Sequence, residues 1–496
     1  MTAASAASPA ATPSTPTPPE PKNHLVTTQH SIKLGKKELK YSVTCGTTVL
    51  REEAEKNGTR EGHKPRAELF AIAYTASGVK DASQRPITFV FNGGPGSSSV
   101  WLHLGLVGPK RVLTDAVGNA APPYRLVDNE HSLLEHSDLV FIDPIGTGYS
   151  RMLDGEPVKE FHDYQRDLES VGEFIRDYLS RENRWGSPKY LAGESYGTTR
   201  AAGLSQHLQE KYSLWLDGVM LISCALDFST LRFDPGNDLP YVLFLPTYAA
   251  TAWQHKKLGA ALQKKSLKEV VALAEAFAEN EYAPALFKGD GLSSAAALAM
   301  AGKLAAFIGL SEGYITSANL RVGIHRFTKE LLRSEGKTVG RLDSRFTGFD
   351  RDDAGELPEF DPSFSNLEGA YGTLINHYLR NDLKFEHAEP YTVRSPLYLT
   401  WGWKSFSGRY PNAAEALRKA MHMNPHMRVY VASGYCDLAT PHFASDYVLS
   451  HAGIRPELQA QISKRYFDAG HMMYVNAPDL LQLGKDLQEF VKVRQK

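Results

Sequence analysis

The stretch Tyr190-Leu191-Ala192-Gly193-Glu194-Ser195-Tyr196-Gly197, followed by a run from Thr198 to Gln209 that reads as a helix, decides the fold. A short apolar strand ends in a Gly-x-Ser-x-Gly turn, and the chain leaves that turn at once as a helix. Small residues flanking the serine relieve crowding where a strand bends sharply, and the bend pushes the hydroxyl out at the strand end. A bare Gly-x-Ser-x-Gly also occurs as a buried turn serine. The strand before and the helix after are what give this one meaning.

Three further runs resemble the strand before Ser195: Pro86 to Phe91, Asp138 to Asp143 and Gly218 to Ser223. Short, nearly continuous apolar runs suit strands buried on both faces. Between the second and third strands, Leu168, Val171, Ile175 and Tyr178 recur at helical spacing. Strands alternating with helices predict a mostly parallel sheet with crossover connections, flanked by helices. Upstream, Leu39, Tyr41, Val43 and Cys45 alternate, and Asn57-Gly58 separates two such runs, which predicts an antiparallel meander between Ile32 and Ala76. From Leu231 to Pro390 the strand rhythm gives way to helical stretches such as Val270 to Ala278 and Ser294 to Phe307. Strands are expected to resume at Pro396-Leu397-Tyr398-Leu399 and at Arg428 to Val431. The predicted organisation is a tail at 1–25, the first part of an α/β core at 26–230, a mainly helical cap insertion at 231–390, and the second part of the core at 391–496.

The chain has 496 residues and a formal net charge of -1, with charges of both signs interspersed. No basic footprint for nucleic acid is present. No run approaches the roughly 18–20 apolar residues of a membrane-spanning helix, so a soluble protein is expected, without a membrane partner. Three cysteines, Cys45, Cys224 and Cys436, are widely spaced and suggest neither disulfides nor a metal cluster. Met1 to Pro21 is an Ala-, Pro-, Ser- and Thr-rich run expected to be disordered, and it lacks the apolar stretch of a signal peptide. A cytoplasmic location is favoured on that ground, with an exported mature form as the alternative.

A serine hydroxyl becomes a nucleophile only with a base in reach, an orienter for that base, and donors where negative charge develops. In a fold of the α/β-hydrolase kind the order is Ser, then an acid, then His. Asp437 lies after the Arg428 strand in Ser433-Gly434-Tyr435-Cys436-Asp437-Leu438-Ala439-Thr440-Pro441, at a carboxyl end where such sheets gather functional residues. His471, in Asp468-Ala469-Gly470-His471-Met472, is favoured over His422, His426 and His442 by its position and preceding glycine. Asn92-Gly93-Gly94-Pro95-Gly96-Ser97-Ser98-Ser99 follows the first buried strand and can bring bare N–H groups to a ligand. It lacks the features of a phosphate loop or a dinucleotide fingerprint. No cofactor and no metal are called for.

Taken with Asp143-Pro144-Ile145-Gly146-Thr147-Gly148-Tyr149-Ser150, these blocks resemble the serine carboxypeptidase family, over about Phe89 to Ser223 and Pro396 to Tyr474. The resemblance implies removal of C-terminal amino acids from peptide substrates through an acyl-enzyme. It implies Ser195 as nucleophile, His471 as base, Asp437 as orienter, and the N–H groups of Gly94 and Tyr196 as oxyanion hole. It further implies that Asn92, the Gly93 N–H and a protonated Glu194 hold the substrate's terminal carboxylate, which favours acidic pH. Two positions depart from the family: Ser97 stands where a Cys is common, and Leu106 where well-known members have a Glu of the carboxylate network. Acyl transfer to an alcohol by the same triad is one alternative, and a non-catalytic binding protein on a hydrolase fold is another. Tyr241, Phe244 and Tyr248 in the cap are candidate pocket residues, with core packing the plainer role. Oligomeric state is open, a homodimer included.

Overall fold

The structure, a computed structural model, describes residues 20–115 and 117–492. Of the segment read as a tail, residues 1–19 lie outside the described residues, and the first strand already begins at His24. The central sheet contains β1 (His24–Leu34), β2 (Lys37–Lys56), β3 (Thr59–Ala76), β4 (Ile87–Phe91), β5 (Asp138–Ile142), β6 (Lys189–Ser195), β7 (Gly218–Cys224), β8 (Arg428–Gly434) and β9 (Ile462–Phe467). Their spatial order is β1-β2-β3-β5-β4-β6-β7-β8-β9. The first three strands form the antiparallel meander, and β3 joins β5 antiparallel. From β5 to β9 every pairing is parallel.

The helices that matter for the site are α1 (Tyr164–Arg181), α2 (Tyr196–Tyr212), α3 (Leu239–Gln254), α4 (Leu267–Phe277), α5 (Ser294–Ile308), α6 (Pro362–Asn381), α7 (Ala414–Met423), α8 (His442–His451) and α9 (Ala477–Val491). Every residue of β4, β5 and β7 is buried, and successive side chains go to opposite faces. Phe89, Val140, Leu191, Val219 and Val431 meet Leu168, Val171, Leu204 and Leu417 of α1, α2 and α7 on one face. Val90, Phe141, Ala192, Met220 and Ala432 meet Tyr371, Leu374, Leu483 and Leu487 of α6 and α9 on the other. Each large apolar side chain withdrawn this way contributes about 1.5–3 kcal/mol, which is why both faces are covered. The result is the three-layer α/β-hydrolase arrangement.

Helices α3, α4 and α5 build a separate cluster around Phe244, Tyr248, Val270, Ala274 and Leu304, which also takes in Leu438, the neighbour of Asp437. Phe244 and Tyr248 are core residues there, and Tyr241 is partly buried against them. Capping is local and legible: Ser266 and Glu269 close a reciprocal capping box at the start of α4. Within residues 231–390, α6 stands apart, because its apolar face packs on the sheet rather than on this cluster.

One predicted strand is corrected. Leu397–Leu399 is a single 3-10 turn. Leu397 is buried in the core, but Tyr398 and Leu399 are 56% and 71% exposed, so the run has no continuous buried face of the kind a central strand fills. The preceding Ser395 N–H donates to Gly96 O at 2.7 Å, tying the segment to the glycine loop instead of to a sheet neighbour.

Candidate active site

Ser195 ends β6 and immediately precedes α2, with φ 60° and ψ -129°. A non-glycine residue at positive φ is strained by about 1–3 kcal/mol and is held there only by its surroundings. Those surroundings are tight: a Cβ on Gly197 would lie 2.8 Å from Phe91 O and 3.1 Å from the Asn92 carbonyl carbon. The elbow thus sits directly against the Asn92 loop. Gly93 backs onto the Tyr196 amide nitrogen, and Ser97 N–H closes the loop on Gly93 O at 3.0 Å. Gly94, at φ 105°, forms the crest of that turn. Tyr196 is the first residue of α2, so its N–H has no acceptor within the helix.

Asp437 and His471 arrive from separate loops after β8 and β9. His471 Nδ1 and Asp437 Oδ2 are 2.8 Å apart, and Asp437 is fully buried. The other bonds to the carboxylate are donated by Thr440 Oγ1 at 2.6 Å and by the N–H groups of Ala439 and Thr440 at 2.8 and 3.0 Å. Four donors leave the carboxylate one orientation. Burial alone pulls the His471 pKa down, but the Asp437 charge and hydrogen bond outweigh it, and the net direction is upward. Ser195 is the register partner of Cys224, and the adjacent Ser223 Oγ donates to His471 O at 2.6 Å, which brings His471 to the elbow. Among the described residues, hydrogen bonds join Asp437 to His471 but not His471 to Ser195. Contacts of that kind often tighten only when substrate is bound.

Glu194 is 4% exposed and meets the Asn92 loop, where Asn92 Nδ2 donates to its Oε1 at 3.0 Å. Asn92 Oδ1 accepts the Leu102 N–H at 3.1 Å, which fixes the amide orientation and leaves one Nδ2 hydrogen free. Burial pushes the Glu194 pKa up to about 7, against the pull of His471, Tyr474 and Asn92 and with the push of Asp437. Tyr371 also lies within its electrostatic reach. The carboxyl is therefore largely protonated below neutral pH.

All eight residues singled out by sequence thus gather at the carboxyl ends of β4, β6, β8 and β9. Of the histidines set aside, His442 is spoken for by Glu275 at 2.8 Å, and His422 lies near Arg418. Ser97 accepts the Trp101 indole N–H at 2.8 Å, and all three cysteines are free and buried. Leu106 is fully buried in the apolar cluster on the sheet.

Sequence reasoning missed Asp167, Arg200 and Tyr474. Asp167 Oδ2 accepts from Arg200 Nε at 2.8 Å and from Tyr196 Oη at 2.9 Å, while Arg200 Nη1 donates to Asn92 O at 2.7 Å. The signal was present: Asp167 falls on the same helical stripe as Leu168, Val171 and Ile175, where a carboxylate needs a buried partner. A cleft of about 590 Å³ beside α1 and α2, lined by Gln206, His207 and Arg409 among others, includes none of these residues. Among the described residues, no helix is long and apolar enough to cross a membrane.

The comparisons with known proteins follow this geometry. The serine carboxypeptidase family model matches residues 60–228, which include the Asn92 loop and the Ser195 elbow. Over these residues the chain is similar to the serine carboxypeptidase family. The pheromone-processing carboxypeptidase KEX1 of Yarrowia lipolytica is 31% identical over 146 residues, covering 28% of this chain and 22% of that protein. Serine carboxypeptidase-like 29 of Arabidopsis thaliana is 28% identical over 158 residues, 30% of this chain and 31% of that protein. The matched segments therefore span less than a third of either relative's length. The crystal structure of KEX1ΔP, a prohormone-processing carboxypeptidase from Saccharomyces cerevisiae, superposes with a TM-score of 0.56 at 16% identity, over 90% of this chain and 91% of that one. This last likeness concerns the fold. Asp437 and His471 lie beyond the family match.

Proposed function

We propose that the chain is a serine-type carboxypeptidase that releases single amino acids from the C-terminus of peptides. The observation that carries this reading is Glu194: a buried carboxyl, next to the nucleophile candidate, bonded to Asn92 and kept protonated up to about neutral pH by burial. A protonated carboxyl can donate to a substrate carboxylate that an ionised one would repel.

On this reading Ser195 Oγ attacks the last peptide carbonyl and gives its proton to His471 Nε2. Asp437 holds His471 with the proton on Nδ1, so that Nε2 is free to accept, and it stabilises the imidazolium that forms. The N–H groups of Gly94 and Tyr196 receive the oxyanion. His471 then protonates the leaving amino acid, and water, deprotonated by the same imidazole, releases the shortened peptide from the acyl-enzyme. Glu194, the free Asn92 Nδ2 hydrogen and the Gly93 N–H hold the terminal carboxylate and set which bond is cut. Because Glu194 must carry a proton, activity on a free C-terminus is favoured below its pKa of about 7, down to the pH at which His471 becomes protonated.

Mass spectrometry of a peptide mixture over time tests the reading. Stepwise loss of C-terminal residues, much slower for the same peptides with an amidated C-terminus, is the expected result. Cleavage inside the chain, or equal shortening of amidated peptides, overturns it.

A further inference from the structure

By the family resemblance Leu106 stands where a partner of Glu194 would be, and buried polar atoms of Glu194 and Tyr474 lack full partners in the structure. Glu194 Oε1 is bonded to Asn92, but Glu194 Oε2 is buried without a hydrogen-bond partner. Tyr474 is 2% exposed, and its Oη is also buried without a partner. The two groups are near neighbours, since each acts on the other's proton affinity. The Tyr474 hydroxyl lies close enough to act on Glu194 as a hydrogen-bond partner, yet the contact falls short of full hydrogen-bond geometry. Tyr474 lies in the short turn Met473–Val475, immediately downstream of His471. Gly105 makes room for it: a Cβ there would collide with the Tyr474 ring and come within 2.7 Å of the Tyr371 hydroxyl.

A buried polar atom left unpaired costs about 1–3 kcal/mol, so two of them side by side form a place that a third polar group can satisfy. The pair also has a defined chemistry. A phenol hydroxyl and a protonated carboxyl each offer one hydrogen, and the two oxygens of a carboxylate can each accept one of them. Asn92 lies on the same side, already bound to Glu194.

We propose that Tyr474 is a specificity-determining residue, its hydroxyl donating to one oxygen of the substrate's terminal carboxylate while Glu194 donates to the other. It supplies from the His471 turn the donor that Leu106 cannot. This rests on the carboxypeptidase reading of Ser195 and Glu194.

The test compares a blocked dipeptide bearing a free C-terminal carboxylate with its C-terminal amide, at pH 6, for the wild type, Tyr474→Phe and Tyr378→Phe. Tyr378 is a buried tyrosine whose hydroxyl meets only Tyr74 among these groups, at 3.1 Å, and serves as the control for losing a hydroxyl. Tyr474→Phe is expected to raise KM for the free acid by about tenfold or more, the usual effect of losing a hydrogen bond to a charged group. Its kcat should stay within about threefold of wild type, and its activity on the amide should be unchanged. Tyr378→Phe should leave both substrates unaffected. Since the contact of Tyr474 Oη with Glu194 falls short of full hydrogen-bond geometry, Tyr474→Phe should melt within about 2 °C of the wild type. An unchanged KM for the free acid, an equal loss on both substrates, or a drop in melting temperature that accounts for the lost activity overturns the proposal. A wild type that handles acid and amide alike overturns the carboxypeptidase reading itself, and the Tyr474 assignment with it.

Discussion

Arg200 and Asp167 form an ion pair at 2.8 Å with side-chain exposures of only 1% and 2%, directly under the nucleophile elbow. The pair links α1 to α2, and through Arg200 Nη1 it also grips the carbonyl of Asn92. The Arg200 guanidinium lies 5.2 Å from the Phe91 ring centroid and 5.1 Å from that of Tyr196. Arg200→Met leaves the Asp167 charge buried without its counter-ion, so it should destabilise the protein by about 3–5 kcal/mol in urea unfolding. Asp167→Leu combined with Arg200→Met should recover much of that loss. A single-variant loss below about 1 kcal/mol would mean that water reaches the pair.

Ser195→Ala should lower kcat for a blocked dipeptide by at least about a thousandfold while leaving the far-ultraviolet circular dichroism and the melting curve near wild type. Ala carries the same positive-φ strain as Ser, so no large change in stability is expected. Full activity in the variant ends the nucleophile assignment.

Asp437→Asn should keep the fold yet reduce kcat by roughly a thousand- to ten-thousandfold. The Asn amide can donate to His471 Nδ1, which moves the ring proton to Nε2 and leaves the base without a lone pair where it needs one. A variant within tenfold of wild type would show that Asp437 does not set the tautomer.

On the proposed function, Glu194 is expected to set the pH dependence of both activity and stability. Activity on a free C-terminus should fall as the pH rises past about 7, where Glu194 loses its proton. On the acid side it should fall as His471 becomes protonated. Glu194→Gln should abolish the alkaline fall and leave the acid limb near its wild-type position, because on that limb Glu194 already holds its proton and exerts no charge on His471. A profile identical to wild type would sink this assignment.

The same residue predicts a stability trend of definite sign. Its folded pKa of about 7 lies above the ordinary 4.5, so between those values the folded state holds a proton that the unfolded chain releases. Stability therefore declines as pH rises through that window, by up to about 3 kcal/mol for a shift of this size. Glu194→Gln should lack this decline and gain on the wild type at pH 8 but not at pH 4, as read from paired urea titrations.

Much of the fold was legible because it depends on local pattern. The apolar runs at Ile87–Phe91, Asp138–Ile142 and Gly218–Cys224 are strands because both sheet faces are covered, which writes a continuous hydrophobic signal into the chain. The Pro396 to Leu399 run carried the same signal and is a turn, because tertiary contact with Gly96 and solvent around Tyr398 override composition. The helix Pro362–Asn381 read like its neighbours in the insertion, and only packing shows that its Tyr371 and Leu374 belong to the sheet.

The sequence by itself determined the Ser195 elbow, the glycine loop at Asn92 and the candidates Asp437 and His471, because sharp turns, bare backbone and strand ends require particular residues at particular spacings. Tertiary structure alone decided what surrounds them. Whether Glu194 is protonated depends on how many atoms exclude water from it. Whether Arg200 finds Asp167, 33 positions away, depends on how α1 and α2 cross the sheet. Whether Tyr474 reaches Glu194 depends on a turn closing over Gly105. Burial and long-range pairing are properties of the packed chain, and no local pattern encodes them.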